Sequence, residues 1–369
     1  METRRGFIIG VGAAAAELPL LAGCLSGGKA RRYSVAILGD THYDAEPASV
    51  YHSHYDVTNK HSKIHHDEFA RNGEMWRKRC PRLLAASAEL ARRLDTRFVL
   101  QMGDIIQGDC DDAPTHRKML NDAIKLLRAP YPAELPFLMV MGNHDFRGKG
   151  ARAAYLGVAE PFLSKEIGCA AKYPAFSFRQ GDDLWVFCDF ETHNLNPISD
   201  LIDADPSARH VFLVTHGPFT TFARARSFRW RLGGAKECEA SRPRLYETLS
   251  RRHAVVLSGH THTTTFYRHE NKYGGFAEFT ANSVWSKPKL ATAEPIYDKV
   301  SDYVADPALD EGAKVKDRKK EVDFFKPGLR EYFHNRGAGH YRMDVSDDSV
   351  TMAFYPGDAR KPARQFRLV

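Results

Sequence analysis

Cysteine is scarce in this chain, with six residues among 369, and their spacing is irregular. Such spacing defines no disulfide framework, although disulfides would be permitted outside the cytoplasm. One cysteine, Cys24, belongs to a separate N-terminal motif, so an odd number remains and at least one is unpaired within a monomer. The remaining five are Cys80, Cys110, Cys169, Cys188 and Cys238.

The sequence also lacks internal repeats and the signature of a nucleic-acid-binding module. Its formal net charge is +7, which favours anionic substrates or surfaces, or reflects only a basic solvated surface. A hydrophobic content of 43% over 369 residues is enough for a sizeable core. We predict one domain over residues 33–369, with inserts near 43–66 and 287–338.

The N-terminus has no apolar run long enough to be a convincing membrane span. The stretch from Gly6 to Gly23 is short and contains Glu17 and Pro19. The preceding Thr-Arg-Arg-Gly-Phe-Ile run resembles a twin-arginine export signal, and Leu-Ala-Gly-Cys24 resembles a bacterial lipobox. We predict an export signal peptide over 1–23, a linker over 24–32 and a lipid anchor at Cys24. An uncleaved tether is the alternative. The expected location is the periplasm, or the membrane as a lipoprotein, of a bacterium.

Alternating apolar runs and helical patterns predict a mixed α/β domain. Hairpins are expected over 175–190 and 340–355, and residues 287–338 show little periodicity. The predicted strands are 33–39, 97–103, 136–141, 210–215, 254–258 and 275–281. The predicted helices are 67–94, 116–128, 151–165 and 242–251.

Five apolar runs end in the same way, with a short cluster of Asp, Asn or His. Ligands of open α/β sheets bind beyond the carboxyl ends of the strands, so five such clusters are expected to converge on one site. The clustered residues are Asp40 and His42; Asp104; Asn143, His144 and Asp145; His216; and His260 and His262.

These residue types suit divalent zinc, iron or manganese, because they offer imidazole nitrogens and carboxylate or amide oxygens. No thiolate belongs to the set, which argues against a zinc-ribbon type of structural site. The side chains exceed the needs of one four-coordinate ion. Two ions that share a carboxylate fit better, and paired ions are the usual device for displacement at phosphorus.

The motifs resemble those of the calcineurin-like metallophosphoesterase superfamily, in the order typical of it, over roughly residues 34–285. The matching segments are Asp40-Thr41-His42, Gly103-Asp104, Gly142-Asn143-His144-Asp145, His216 and Gly259-His260-Thr261-His262. The resemblance implies a four-layer α/β/β/α sandwich with two mixed sheets. It also implies that one metal is bound by Asp40, His42, Asp104 and His262, and a second by Asp104, Asn143, His216 and His260.

The resemblance further implies hydrolysis of phosphate mono- or diesters by a hydroxide that bridges two divalent ions. His144, oriented by Asp145, would protonate the leaving group, a role that suits a histidine near its ordinary pKa. The alternative for His144 is a structural residue behind the metals. At the level of the protein, the alternatives are a non-catalytic metal- or phosphate-binding protein and an extracellular nuclease.

One position separates this chain from a branch of the superfamily. Purple acid phosphatases carry a tyrosine three residues after the bridging aspartate, where this chain has Gln107, so we expect this chain to belong to a different branch.

The region near 43–66 is rich in histidine and is predicted to be an inserted loop. The alternatives for this region are contact with the substrate, a further metal site, or a solvated loop. Its histidines are His52, His54, His61, His65 and His66.

Overall fold

A computed structural model of the chain describes residues 32–55, 58–93, 95–220, 231–284, 296–305 and 313–369. The predicted export signal over 1–23, Cys24 and nearly all of the linker lie outside the described residues. Two mixed β-sheets packed face to face form the centre of the described part, which confirms the predicted fold class.

The first sheet contains six strands and opens with β1, the apolar run Tyr33–Leu38. β1 pairs in parallel with β2 (Thr96–Gln101), which pairs in parallel with β3 (Phe137–Met139). On its other side β1 meets β11 (Gly339–Val345), and β12 (Val350–Pro356) and β13 (Arg364–Arg367) complete an antiparallel half.

The second sheet contains seven strands, and its middle is parallel. β5 (Asp183–Cys188), β6 (Val211–Val214), β7 (Val255–Ser258) and β9 (Gly274–Thr280) run in the same direction. β4 (Ala175–Gln180) pairs antiparallel with β5, while β8 (Thr264–Asn271) and β10 (Leu329–Asn335) extend the opposite edge.

Aromatic side chains fill the space between the sheets. The rings of Phe98 and Trp185 lie 4.8 Å apart, and those of Phe279 and Tyr341 lie 5.3 Å apart, each pair joining one strand from each sheet. All four side chains are buried. Burial of this apolar surface is the main term that holds the layers together.

Helices cover the outer faces of both sheets. α2 (Cys80–Arg93) and α4 (Ala151–Ile167) pack on the first sheet, with α1 (Lys60–Lys78) against α2 and α3 (Ala113–Arg128) against α4. α5 (Asn196–Asp203) and α6 (Arg242–Arg251) pack on the second sheet, and α7 (Ala313–Phe325) lies near its β8–β10 edge. Among the described helices, none is both long and apolar enough to cross a membrane.

α5, β8 and β13 were not predicted from the sequence, and three further segments differ from the sequence-based prediction. The single helix predicted over 67–94 is two helices, because Pro81 lacks the amide hydrogen that a continuous helix needs and instead occupies the first turn of α2. The predicted loop near 43–66 includes the first turns of α1. The region 287–338 contains α7 and β10, and β10 belongs to the second sheet.

Candidate metal centre

The five predicted clusters lie at the carboxyl ends of β1, β2, β3, β6 and β7. Because β1, β2 and β3 are parallel in one sheet and β6 and β7 are parallel in the other, these ends meet at one edge of the sandwich. The structure therefore brings together all seven side chains that the sequence singled out as metal ligands.

The first group consists of Asp40, His42, Asp104 and His262, whose ligand atoms all lie within 4.8 Å of one another. His262 Nε2 lies 3.0 Å from Asp40 Oδ2 and 2.9 Å from His42 Nε2. The two aspartates and His42 are buried, whereas the His262 side chain is 34% exposed. His262 is therefore on the open side of the group.

The second group consists of Asp104, His216 and His260, with the Asn143 amide beside it. His216 Nε2 lies 3.3 Å from Asp104 Oδ2, 3.2 Å from His260 Nδ1 and 3.2 Å from Asn143 Oδ1. Asp104 Oδ2 is also 3.6 Å from His42 Nε2 in the first group. One carboxylate oxygen thus faces both groups, while Asp104 Oδ1 accepts a 2.7 Å hydrogen bond from the backbone N–H of His144.

The outward ring nitrogens of His42 and His216 have partners that fix their orientation. His216 Nδ1 donates to the carbonyl oxygen of Met102 at 2.7 Å, and His42 Nδ1 donates to Gln107 Oε1 at 3.2 Å. Gln107 Oε1 also accepts from Asn72 Nδ2 at 2.7 Å. Such partners fix the tautomer and ring orientation of histidines that bind metals.

This tautomer assignment makes the residues a good fit for cations. With hydrogen on each Nδ1, neutral His42 and His216 direct their Nε2 lone pairs at the carboxylate oxygen of Asp104. Lone pairs facing one another at 3.3–3.6 Å repel unless a proton or a metal lies between them. Burial lowers the pKa of His216, but the charges of Asp104 and Asp40 outweigh it and raise that pKa to about 9.

The loops that carry the ligands have strained backbones. Four of the ligands have φ between 40° and 70°, in the left-handed region that residues with a side chain seldom adopt. Strain of this kind collects at functional sites. Gly103 has φ +88°, and a Cβ there would lie 2.5 Å from His216 Nδ1. The four ligands are His42, Asp104, His260 and His262.

Comparison with known proteins identifies the family. A family model described as calcineurin-like phosphoesterase matches residues 33–264. The chain is 33% identical to the DNA double-strand break repair protein Mre11 of Halobacterium salinarum over 125 residues, which span 34% of this chain and 29% of Mre11.

Solved structures share the fold at low identity. PhoD aligns with 12% identity and a TM-score of 0.50, over 92% of this chain and 69% of PhoD. Purple acid phosphatase PPD1 from yellow lupin seeds aligns with 11% identity and a TM-score of 0.52, over 91% of this chain and 53% of PPD1.

The chain belongs to the calcineurin-like phosphoesterase family. Its two ligand groups are the candidate sites for the metals of such a phosphoesterase.

His144 lies where the phosphoesterase motif predicts, but Asp145 does not orient it. His144 Nδ1 donates to the carbonyl oxygen of Gln107 at 2.9 Å. The buried Asp145 carboxylate instead accepts from the backbone N–H groups of Ile106 and Gly142, at 3.1 and 2.8 Å. The predicted pairing is wrong because these neighbours lie in one 3₁₀ turn, His144–Phe146, which directs successive side chains apart. Asp145 therefore joins two ligand loops.

One residue of the histidine-rich region, His52, has a structural role that the sequence did not predict. His52 is buried and stacks on Phe69 with ring centroids 3.7 Å apart. Its Nδ1 donates to the carbonyl oxygen of Asp109 at 3.1 Å, and its Nε2 lies 3.1 Å from the Asp44 carboxylate. His52 therefore supports the loop after β2 and is not a solvated side chain.

Proposed function

We propose that the protein is an exported phosphoesterase that uses two divalent ions, Mn, Fe or Zn, to hydrolyse phosphate mono- or diesters. The observation that carries this proposal is that Asp104 Oδ2 faces both ligand groups. The partly exposed His144 follows Asn143 directly in the sequence. Asp40, His42, Asp104 and His262 would hold one ion. Asp104, Asn143, His216 and His260 would hold the other.

Bound ions would supply positive charge for the phosphate oxygens and would lower the pKa of a bound water to about 7. The side chains of the protein position the proton donor and the substrate. Because His144 Nδ1 donates to the Gln107 carbonyl, Nε2 is the atom that can pass a proton to the leaving oxygen. Asn143, His144 and His262 are only partly buried, so a phosphate ester can reach this side of the centre from solvent.

A panel of phosphate esters tests the activity. Monoesters, diesters and single- and double-stranded DNA would be incubated with the manganese-loaded protein and with a metal-free control. DNA is included because of the partial match to Mre11. We expect metal-dependent hydrolysis of mono- or diesters. Turnover of DNA alone would favour a nuclease, and phosphate binding without turnover of any ester would favour the non-catalytic alternative.

The proton-donor role has a separate test in the variant His144→Ala. It should retain both ions and lose about 10²–10⁴-fold in turnover on alkyl esters, because general acid catalysis contributes that much. The loss should be smaller on nitrophenyl esters, whose leaving group departs without a proton. Equal losses on both ester types, with metals retained, would instead indicate substrate positioning. His260→Ala should lose metal and activity on every ester.

Export and lipid attachment are proposed from residues 1–24 alone. The twin-arginine-like run and the Leu-Ala-Gly-Cys24 sequence support them. Mass spectrometry of membrane fractions from a bacterial host should find a lipidated N-terminal Cys24, and Cys24→Ala should abolish the lipid. A chain that begins at Met1 in the cytoplasm would contradict this proposal.

A further inference from the structure

The guanidinium group of Arg147 lies against His144. Arg147 Nη1 is 3.0 Å from His144 Nδ1 and 3.1 Å from Nε2, and the Arg147 side chain is 28% exposed. His144 and its neighbour Asn143 are likewise only partly buried, whereas Asp40 and Asp104 are fully enclosed. Arg147 therefore contributes a positive charge to the side of the centre that a substrate approaches.

Arg147 is held in place by Asp109. The Asp109 carboxylate forms an ion pair with Arg147 Nη2, and the Asp109 backbone N–H donates to the Arg147 carbonyl oxygen at 3.0 Å. Asp109 has φ 54° and follows Gly108, where a Cβ would lie 2.1 Å from the His144 carbonyl oxygen. His52, itself bound to Asp44, donates to the Asp109 carbonyl. The strained loop at Gly108–Asp109, which His52 stabilises, thus fixes the Asp109 carboxylate that holds Arg147.

The guanidinium is not needed to join these loops, because backbone hydrogen bonds already do so. A guanidinium has five N–H donors, and within the described part of the chain the contacts of this one are Asp109 and His144. Donors therefore remain for an incoming group.

We propose that Arg147 is a substrate-binding residue whose guanidinium pairs with a non-bridging oxygen of the substrate phosphate beside His144, and that Asp109 is its positioning residue. The assignment rests on the proposed phosphoesterase function. A planar guanidinium matches phosphate geometry with two parallel N–H donors, which lysine cannot reproduce.

Inorganic phosphate provides the probe, because its binding is measurable without turnover. Isothermal titration would follow phosphate binding to the full-length, metal-loaded wild type and variants. Arg147→Gln should weaken binding by about 10–100-fold, the equivalent of one hydrogen bond to a charged group. Arg147→Lys should bind with intermediate affinity. Asp109→Asn should show a smaller loss than Arg147→Gln, because the guanidinium remains but is less firmly held.

Arg128→Gln is the matched control. Arg128 is also 28% exposed and ion-paired, with Glu166, but it lies on α3 outside the centre. The Arg128→Gln variant should bind phosphate with the affinity of the wild type. Metal content and thermal unfolding would be measured on every variant. If Arg147→Gln fails to fold, Arg147→Lys decides, since it must bind phosphate more weakly than the wild type while retaining both ions.

Two results would overturn the assignment: unchanged phosphate affinity in Arg147→Gln, or a loss of metal in that variant, which would place its effect on the centre itself. For any ester that the wild type hydrolyses, Arg147→Gln should raise KM more than it lowers kcat. If no ester is hydrolysed, the proposed function fails, yet the dependence of phosphate binding on Arg147 remains measurable. If esters are hydrolysed and phosphate binding ignores Arg147, only the present inference fails.

Discussion

Gln107 illustrates how much a single side chain outside the ligand set does. The sequence predicts that it sets this chain apart from purple acid phosphatases, and in the structure its Oε1 accepts from both His42 and Asn72. The amide thereby fixes which nitrogen of His42 faces the candidate metal centre. The residue for which we expect a difference from purple acid phosphatases thus also orients a candidate metal ligand.

Gln107→Leu should weaken metal binding by about 10–100-fold, as is typical when the partner of a ligating histidine is lost. Gln107→Glu keeps an acceptor for both donors and should retain more affinity. Competition with a coloured chelator would measure both variants. Equal affinities for the leucine and glutamate variants would show that His42 does not depend on this hydrogen bond.

At the scale of an element, the loop after β2 depends on a close approach between two segments of the chain. Gly103 separates β2 from Asp104, has φ +88° and leaves no space for a Cβ beside His216. Gly157 lies within α4 and has no atom within 4 Å of a Cβ placed there. The two glycines therefore differ in what a methyl group would meet.

Gly103→Ala should lower the free energy of unfolding by at least about 1–2 kcal/mol, the cost of a left-handed alanine, and should weaken metal binding by displacing His216. Gly157→Ala should raise it by about 0.5–1 kcal/mol, because alanine is the better helix former. Urea unfolding of both variants would test this. A neutral Gly103→Ala would mean that the loop relaxes without loss.

β9 is tied to the loop after His216 by a buried carboxyl group. Glu278 accepts from the backbone N–H groups of Phe219 and Thr220 at 2.7 and 2.8 Å, and burial raises its pKa to about 8. The folded state therefore holds this proton more tightly than the unfolded chain, whose glutamate has a pKa of about 4.5. Folding takes up a proton between these values, so stability falls as pH rises from about 4.5 to about 8.

Glu278→Gln removes this titration. The free energy of unfolding of the wild type, minus that of the variant, should fall by up to about 1.4 kcal/mol per pH unit across that window and level off above it. Other ionisable groups cancel in the difference. Urea unfolding of both proteins at fixed metal concentration from pH 5 to 9 would measure it. A difference independent of pH would show that Glu278 titrates near its ordinary pKa.

The sequence predicted the elements that carry a local signal. An apolar run followed by Asp, Asn or His is such a signal, and all five strand ends converge as expected. β8, with the polar sequence TTFYRHEN, was missed because one of its two neighbours in the sheet, β10, lies far along the chain. The orientation of Asp145 and the hydrogen bonds of Gln107 were not predictable either, since they depend on which loops approach each other in three dimensions.

At the scale of the whole molecule, the two sheets are joined at both ends of β1. At its start, the Tyr33 hydroxyl donates to Asp183 at 2.8 Å and accepts from Trp185 Nε1 at 3.2 Å, so β1 of the first sheet is bonded to β5 of the second. Asp183 is fully buried and also paired with Arg209. Beyond the end of β1, the ligand groups combine side chains from both sheets.

Tyr33→Phe should lower the free energy of unfolding by about 1–3 kcal/mol, because it leaves buried polar groups of Asp183 and Trp185 without this partner. The control is Tyr273→Phe, at an exposed hairpin turn, which should change stability by less than about 0.5 kcal/mol. Denaturant unfolding would compare them. Similar effects for the two variants would show that the hydrogen bond between the sheets contributes little.

Removal of the metals tests the junction between the sheets beyond the carboxyl end of β1. Ions held by ligands from both sheets bind the folded state alone, so they should stabilise it by about 2.7 kcal/mol when free metal is 100 times the dissociation constant. Chelation should remove that gain. His260→Ala, which lacks one ligand from the second sheet, should gain less at the same manganese concentration. Urea unfolding with manganese and with chelator would measure both proteins. An equal gain in wild type and variant would place the stabilising ion elsewhere, and no gain in the wild type would contradict a metal link between the sheets.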